Sequence, residues 1–257
     1  AATSTETAYQ LTAETAGSIG NDYSGPILPI TAIPGLSSAE LTDILVPGDD
    51  EETDEALRER VLTALNERPF GGNLASYRTD IANMDGVGGV QVYPTWNGGG
   101  TVKCSILGAD FLPASQTLVQ NVQAAIDPPA NQGQGLGLAP IGATVSVTAP
   151  STVTIQIAAG LVLAPGYTIE QVQPLVEAAI ESYMLEIRQG WDLPLSETAV
   201  EYAANVYHAR VLAAIVGLGS VVNVTSLQLN GAAADVLLTQ SGTIQQVPIL
   251  GEVALHV

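Results

Sequence analysis

Positive charge, histidine and cysteine are all scarce in this chain, and each shortage removes a class of function. Only 7 of 257 residues are Lys or Arg, against 26 Asp and Glu, a formal charge of −19 at pH 7. That field repels nucleic-acid phosphates and anionic membrane surfaces, so no direct nucleic-acid binding is expected. Cys104 is the one cysteine. It can close no intramolecular disulfide and build no Cys-rich zinc site, and a reducing origin is compatible with it. On the apolar side of an expected strand it reads as a buried, inert thiol and not as a nucleophile. His208 and His256 are the only histidines, and His208 lacks the helical partner histidine of a metal site, so a packing or surface role is expected. The longest apolar candidate, Val211 to Val216, is far short of the ~20 residues that span a bilayer. No serine sits in a nucleophile elbow. Gly98-Gly99-Gly100 and Gly133-Gln134-Gly135-Leu136-Gly137 lack the lysine of a P-loop, which leaves both as loops.

What is present argues for a folded chain. Hydrophobic residues make up 46% and the mean hydropathy is +0.28, which argues against disorder. The length permits one large unit or two to three small ones. The sequence begins Ala1-Ala2-Thr3-Ser4-Thr5 with no initiator Met and no basic-then-apolar signal segment, which reads as a processed end or, preferably, a cut boundary.

The acidic stretch from Pro47 to Val61 runs into a helix. Thr53 supplies an N-cap hydroxyl, and Asp54 and Glu55 fall where the helix dipole favours negative charge. Leu57, Val61, Leu62 and Leu65 recur at helical spacing as a core face, and Pro69 ends the run. Ion pairs among Asp54, Glu55, Arg58, Glu59 and Arg60 are worth about a few tenths of a kcal/mol each. Ahead of this helix, residues 1 to 46 alternate apolar and small polar residues around Gly and Pro, the pattern of short strands and turns.

Beyond it, Asn73 caps a second helix striped by Leu74, Tyr77 and Ile81. Val90 to Pro94 and Thr101 to Ile106 form a hairpin about a Gly-rich loop. A third helix starts at Ser115, buries Leu118, Val119, Val122 and Ile126, and stops at Asp127-Pro128-Pro129. Strands are expected at Thr144 to Thr148 and Thr152 to Ile157. Thr168-Ile169-Glu170-Gln171 is a capping box that opens a long helix, with Pro174 best accommodated if the first turn lies later. Ser196 is expected to cap a helix running to Ile215. Asn230-Gly231 then signals a hairpin after a strand at Val221 to Leu229.

Candidate chemistry is thin. The cluster Asp49 to Glu55 offers hard oxygen ligands for calcium but lacks the spacing and central Gly of an EF-hand, and capping explains Thr53 to Glu55. Carboxylate pairs for glycoside hydrolysis can be drawn from any chain this acidic, and no local motif selects one. Trp96 and Trp191, each in a turn region, are the candidate partner contacts, with capping of a core as the alternative role.

The order of motifs is informative. Glu52-Thr53-Asp54-Glu55 with Leu57-Arg58-Glu59-Arg60, Pro69-Phe70-Gly71-Gly72-Asn73 with Tyr77, Gly86-Val87 with Val90-Gln91-Val92, and Gly100-Thr101-Val102 follow one another. Together with Gly17-Ser18-Ile19-Gly20-Asn21 and Pro248-Ile249-Leu250-Gly251, they resemble the phage baseplate J-like family, wedge components of contractile tails and related injection machines. The resemblance covers nearly the whole chain. It departs at Pro47-Gly48-Asp49-Asp50, where the family often has a Gly-Gly pair, and a further N-terminal region that helps join wedges is expected to be missing.

The expectation is therefore an α+β, multi-domain chain of short β-sheets with pairs of amphipathic helices. Its expected parts are a β-rich segment over residues 1–50, an α+β wedge domain over 51–150 and a C-terminal α+β domain over 151–257. The resemblance implies a structural subunit of a phage or prophage tail baseplate, a wedge of a contractile injection system active in virion assembly. It implies no catalysis, no cofactor and no metal. It also implies a place in the virion tail or a phage-like particle, assembly in the bacterial cytoplasm, and other wedge and tail proteins as partners in a ring. A tail-associated glycan hydrolase and an acidic calcium-binding surface module are the alternatives.

Overall fold

The computed structural model describes residues 8–66, 71–195 and 200–257, without the side chains of Asp22, Glu59 and residues 63–66. Two three-stranded sheets, each covered by helices, make up most of it, an α+β architecture. The first sheet has the order β3-β4-β5, from Val87–Pro94, Thr101–Gly108 and Thr144–Thr148. The β3–β4 pair is antiparallel and β4–β5 parallel. Against it lie α2 (Leu74–Ala82) and α3 (Gln116–Ile126). Both helices start where their caps dictate: Asn73 Oδ1 accepts the Ser76 N–H at 2.7 Å, and Ser115 Oγ accepts that of Leu118 at 3.2 Å. Their stripes, Tyr77 with Ile81 and Leu118 with Val122 and Ile126, fill the core with Val90, Cys104 and Ile106.

The second sheet has the order β7-β6-β8, from Val221–Leu229, Ser151–Leu163 and Gln246–His256, with β6–β7 antiparallel and β6–β8 parallel. Its helices are α4 (Ile169–Gln189) and α5 (His208–Val216). Val172, Val176 and Ile180 of α4, each 0% exposed, meet Ile155, Ile157 and Leu161 of β6, while α5 adds Val211 and Ile215. The capping box sits where the sequence places it, with Gln171 Oε1 accepting the Thr168 N–H at 3.1 Å. Pro174 is nonetheless inside α4, so the first turn does not begin later.

Elsewhere the structure departs from local signals. No helix covers residues 200–206; α5 starts only at His208, and the Ser196 cap lies outside the described residues. The reason is a period of two: Tyr202, Ala204 and Val206 are buried in alternation, and Val206 bridges Val236. Asn230 and Gly231 do adopt the paired positive φ of a tight turn, 50° and 80°. The chain then leaves, and the strand returning beside β6 is β8, in parallel. Among the described residues of the N-terminal region, strand is confined to β1 (Gly25–Ile27) and β2 (Ala39–Leu41), paired antiparallel.

The largest departure is α1 (Asp54–Asn66). Thr53 Oγ1 accepts the Ala56 N–H at 3.2 Å as a cap should. Yet Leu57, Val61 and Leu62 are 42%, 48% and 53% exposed, and every described side chain of α1 is exposed. The side chain of Leu65 and the stop at Pro69 lie outside the described residues.

Candidate interaction surfaces

Sheet edges are where strands offer unpaired backbone groups to other chains. Here side chains close three of them. At β5, Asp127 Oδ2 accepts the Val145 N–H at 2.9 Å, Gln123 Oε1 accepts that of Val147 at 2.8 Å, and Gln123 Nε2 donates to Val145 O at 3.0 Å. At β8, Gln173 Nε2 donates to Val253 O at 2.7 Å and Arg188 Nη1 to Pro248 O at 3.1 Å, while Pro248 has no N–H to leave exposed.

At β3 the closing groups come from the other sheet's half. Asp192 Oδ2 accepts the Val90 N–H at 3.0 Å, and the Tyr202 hydroxyl accepts that of Val92 at 3.1 Å. Arg78 Nη2 donates to the same hydroxyl at 3.0 Å, and Gln91 Nε2 donates to Trp191 O at 2.6 Å. Behind this polar seam, Leu107, Trp191, Ala204 and Val247 form a small buried cluster.

Trp191, expected as a candidate partner contact, is 0% exposed and donates its indole N–H to Gln246 O at 3.0 Å. It therefore belongs to the joint between halves and has no surface left for a partner. Trp96 is part-buried at the tip of the β3–β4 hairpin, with Lys103 Nζ 5.3 Å from its ring centroid. With Tyr93, Pro94, Val200, Gly242 and Thr243 it lines an open hollow of about 340 Å³. Sequence reasoning missed Asp192 and Tyr202, since each acts on a strand about a hundred residues away.

Burial raises the pKa of Asp192 above the ordinary carboxylate value, opposed by the Val90 N–H and Arg78. A folded-state value above the unfolded one means that this group's stabilising contribution is complete below the unfolded pKa and is lost as pH rises through the folded one. Asp192→Asn keeps an acceptor for Val90 without the desolvated charge. Urea melts should show it equal to or up to about 1 kcal/mol more stable than wild type at pH 7, with the difference gone below about pH 4.

The acidic loop is a clasp. Asp50 accepts the Ser18 N–H at 2.7 Å and the Ser18 hydroxyl at 2.6 Å, which holds its pKa below the usual range. Asn21 and Gly48 exchange two hydrogen bonds, both 2.8 Å, and Pro47 is buried beside Gly86 and Gly108. Glu52 pairs with Arg60 at 2.8 Å and Glu55 with Arg58. Three carboxylates of the proposed calcium cluster thus already have partners, and no group of three or more metal-ligating side chains gathers among the described residues. A Cβ on Gly48 would overlap the Gly17 carbonyl oxygen, a backbone atom that cannot swing aside. Gly48→Ala should open the clasp: hydrogen exchange at the Ser18 and Gly48 amides rises by at least about tenfold while residues 74–126 keep their protection.

The remaining sequence candidates are structural. Cys104 is fully buried and its thiol pKa is pushed up to about 12 by desolvation, so it carries no thiolate at neutral pH. His208 opens α5, its N–H donated to Asp235 Oδ1 at 2.8 Å and its ring Nε2 3.1 Å from Leu227 O. His256 ends β8. No described helix is long and apolar enough to cross a membrane.

Residues 69–149 match the Baseplate J-like central domain, and residues 155–256 the Baseplate J-like protein C-terminal domain. In Bacillus subtilis strain 168, the uncharacterized protein YqbT is 34% identical over 95% of this chain, and the phage-like element PBSX protein XkdT 32% identical, also over 95%. The chain spans 65% and 66% of the lengths of those two relatives. A chain in the cryo-EM structure of the anti-feeding prophage baseplate shares the fold, with a TM-score of 0.53 over 88% of this chain and 48% of that one, at 13% identity.

Proposed function

The chain belongs to the baseplate J-like family, and from that membership we propose that it is a structural subunit of a phage or phage-like contractile tail baseplate. It works as a wedge component through protein–protein contacts. The observation that carries this reading is that two successive domain models of one structural family match the two sheet-bearing halves in order. The gap between the two matches supports placing a domain boundary at residues 150–151, and a separate N-terminal segment over residues 1–50 is a further part of the proposal.

The surface is consistent with assembly by contact. Large apolar side chains of α1 and of residues 8–46 stand in solvent, Leu28 at 92% and Ile30 at 107% exposure, where an isolated monomer gains nothing from them. The described cations, by contrast, are occupied within the chain: Arg188 by Glu181, Arg210 by Glu186, Arg60 by Glu52. A surface with its cations occupied and its carboxylates in excess disfavours promiscuous self-association of free subunits. Ring assembly with other wedge and tail proteins, cytoplasmic assembly and the lack of contact with nucleic acid are parts of the same proposal.

Deleting the gene should leave tails without baseplates, seen by electron microscopy, and restoring it should restore them. Complete, contractile particles in its absence would refute the role. Among the described residues no group of three or more metal-ligating side chains favours the calcium reading.

A further inference from the structure

Lys103 is the single lysine of the chain, and it is 7% exposed. Burying an ammonium is costly unless its charge is answered, most often by a carboxylate. Arg58, Arg60, Arg188 and Arg210 each meet one. Lys103 meets none among the described residues: its Nζ donates to Thr243 O at 3.2 Å and stands 5.3 Å from the centre of the Trp96 ring. An ammonium has three N–H groups to give, and the chain accepts one of them. Burial holds the pKa of Lys103 below the ordinary lysine value, as it does for a charge taken from water without a counter-ion.

Both contacts of this ammonium are walls of one hollow. Tyr93, Pro94 and Trp96 of the β3–β4 hairpin, Val200, and Gly242 and Thr243 ahead of β8 line its volume of about 340 Å³. The Trp96 indole N–H is a second buried donor there, and it has no hydrogen-bond partner. The hollow is open to solvent and lies at the small end of the range of ligand pockets, roughly 300–1,000 Å³. It has room for one side chain offered by an apposed surface.

We propose that this hollow seats the carboxylate of an Asp or Glu side chain from another protein of the particle, paired with Lys103. Charge complementarity selects the occupant. A buried cation without a counter-ion and an indole N–H without an acceptor both require acceptor oxygens, and a carboxylate brings two of them together with negative charge. The stem of that side chain lies on Tyr93, Pro94 and Trp96. Charges more than about 8 Å away are screened at physiological salt, so the ammonium and not the −19 of the whole chain decides what enters. A second copy, repelled over most of its acidic surface, is the poorer source.

The source of the carboxylate rests on the baseplate reading, whereas the preference of the hollow is tested on the isolated chain. Its two tryptophans give two indole N–H signals in a nitrogen–proton NMR spectrum, and Trp191, already bonded to Gln246 O, serves as the reference. N-acetyl-glutamate methylamide should move the Trp96 signal saturably at constant ionic strength, and its glutamine counterpart should not. Lys103→Met should abolish the movement with the Trp191 signal in place. No movement with the glutamate probe, or equal movement with the glutamine probe, acetate or chloride, overturns the site. In assembled particles a photo-crosslinking amino acid at Asn97 should join an Asp- or Glu-bearing peptide of another protein, at least tenfold less in Lys103→Met chains that still enter particles. A crosslink to a second copy, to its own chain or to nothing overturns the proposed source and leaves the baseplate role intact. If the wild-type chain is absent from particles, the baseplate reading and the source fall together, and the NMR result still decides the site.

Discussion

Trp191→Ala lowers unfolding stability by about 3–5 kcal/mol, the usual cost of truncating a large buried aromatic. The indole is 0% exposed and lies between Leu107 of β4, on the first sheet, and Ile187 and Val247 of the second half. Its removal empties the small cluster that holds the halves together. The lost hydrogen bond adds little, because Gln246 O also accepts from Gln240 Nε2 at 2.6 Å. The cost is therefore cavity and lost packing, and Trp191→Phe should recover a good part of it. For a chain of this size each kcal/mol moves the melting midpoint by about 2–4 °C, so calorimetry should record a fall of roughly 10 °C. Hydrogen exchange should speed first at Val90 and Val92, whose N–H groups are closed by Asp192 and Tyr202 on the same segment. An unchanged midpoint would mean the halves are not coupled through this residue.

Asp127→Ala is expected to cost about 2–5 kcal/mol by a different mechanism. The side chain is 1% exposed and accepts two backbone N–H groups, Gly133 at 3.0 Å on Oδ1 and Val145 at 2.9 Å on Oδ2. Alanine strands both donors, and each unsatisfied buried group costs about 1–3 kcal/mol. Asp127→Asn keeps the shape but turns one acceptor into a donor facing an N–H, so it should fall between wild type and alanine. Chemical denaturation gives the energies, and exchange at the Val145 amide shows whether the β5 edge has opened. Equal stability of all three proteins would mean that the edge is satisfied in some other way.

Both residues show how far the sequence could be read. Asp127 was legible as the stop of a helix, from its place before Pro128-Pro129. Its work on β5 was not, because that needs a loop to return β5 to the end of α3. Trp191 was legible as an aromatic in a turn, and a turn residue reads equally as a surface anchor or a plug. Helices α2, α3 and α4 were readable because cap and stripe are contained within about a turn or two of the chain. The extended run from Tyr202 to Val206 was not read as such, since its period of two competes with residues of good helical propensity around it. Helix α1 was assigned a buried face from periodicity alone, and periodicity cannot say whether a partner face exists in the same chain.

By itself, then, the sequence determined the strong negative charge, the capped helices, the hairpin about Gly98-Gly99-Gly100 and the succession of motifs that points to the baseplate J-like family. All of these are carried by neighbours within a few residues or by totals over the chain. Only the tertiary structure decided that Trp191 is interior, that Asp192 and Tyr202 close the edge of β3, and that the apolar faces of α1 and the β1–β2 loop stay in water. The physical reason is range. A cap or an amphipathic stripe is a local free energy written in adjacent residues, whereas the bond from the Val92 N–H to the Tyr202 hydroxyl joins positions 110 apart and exists only once two separate cores have met.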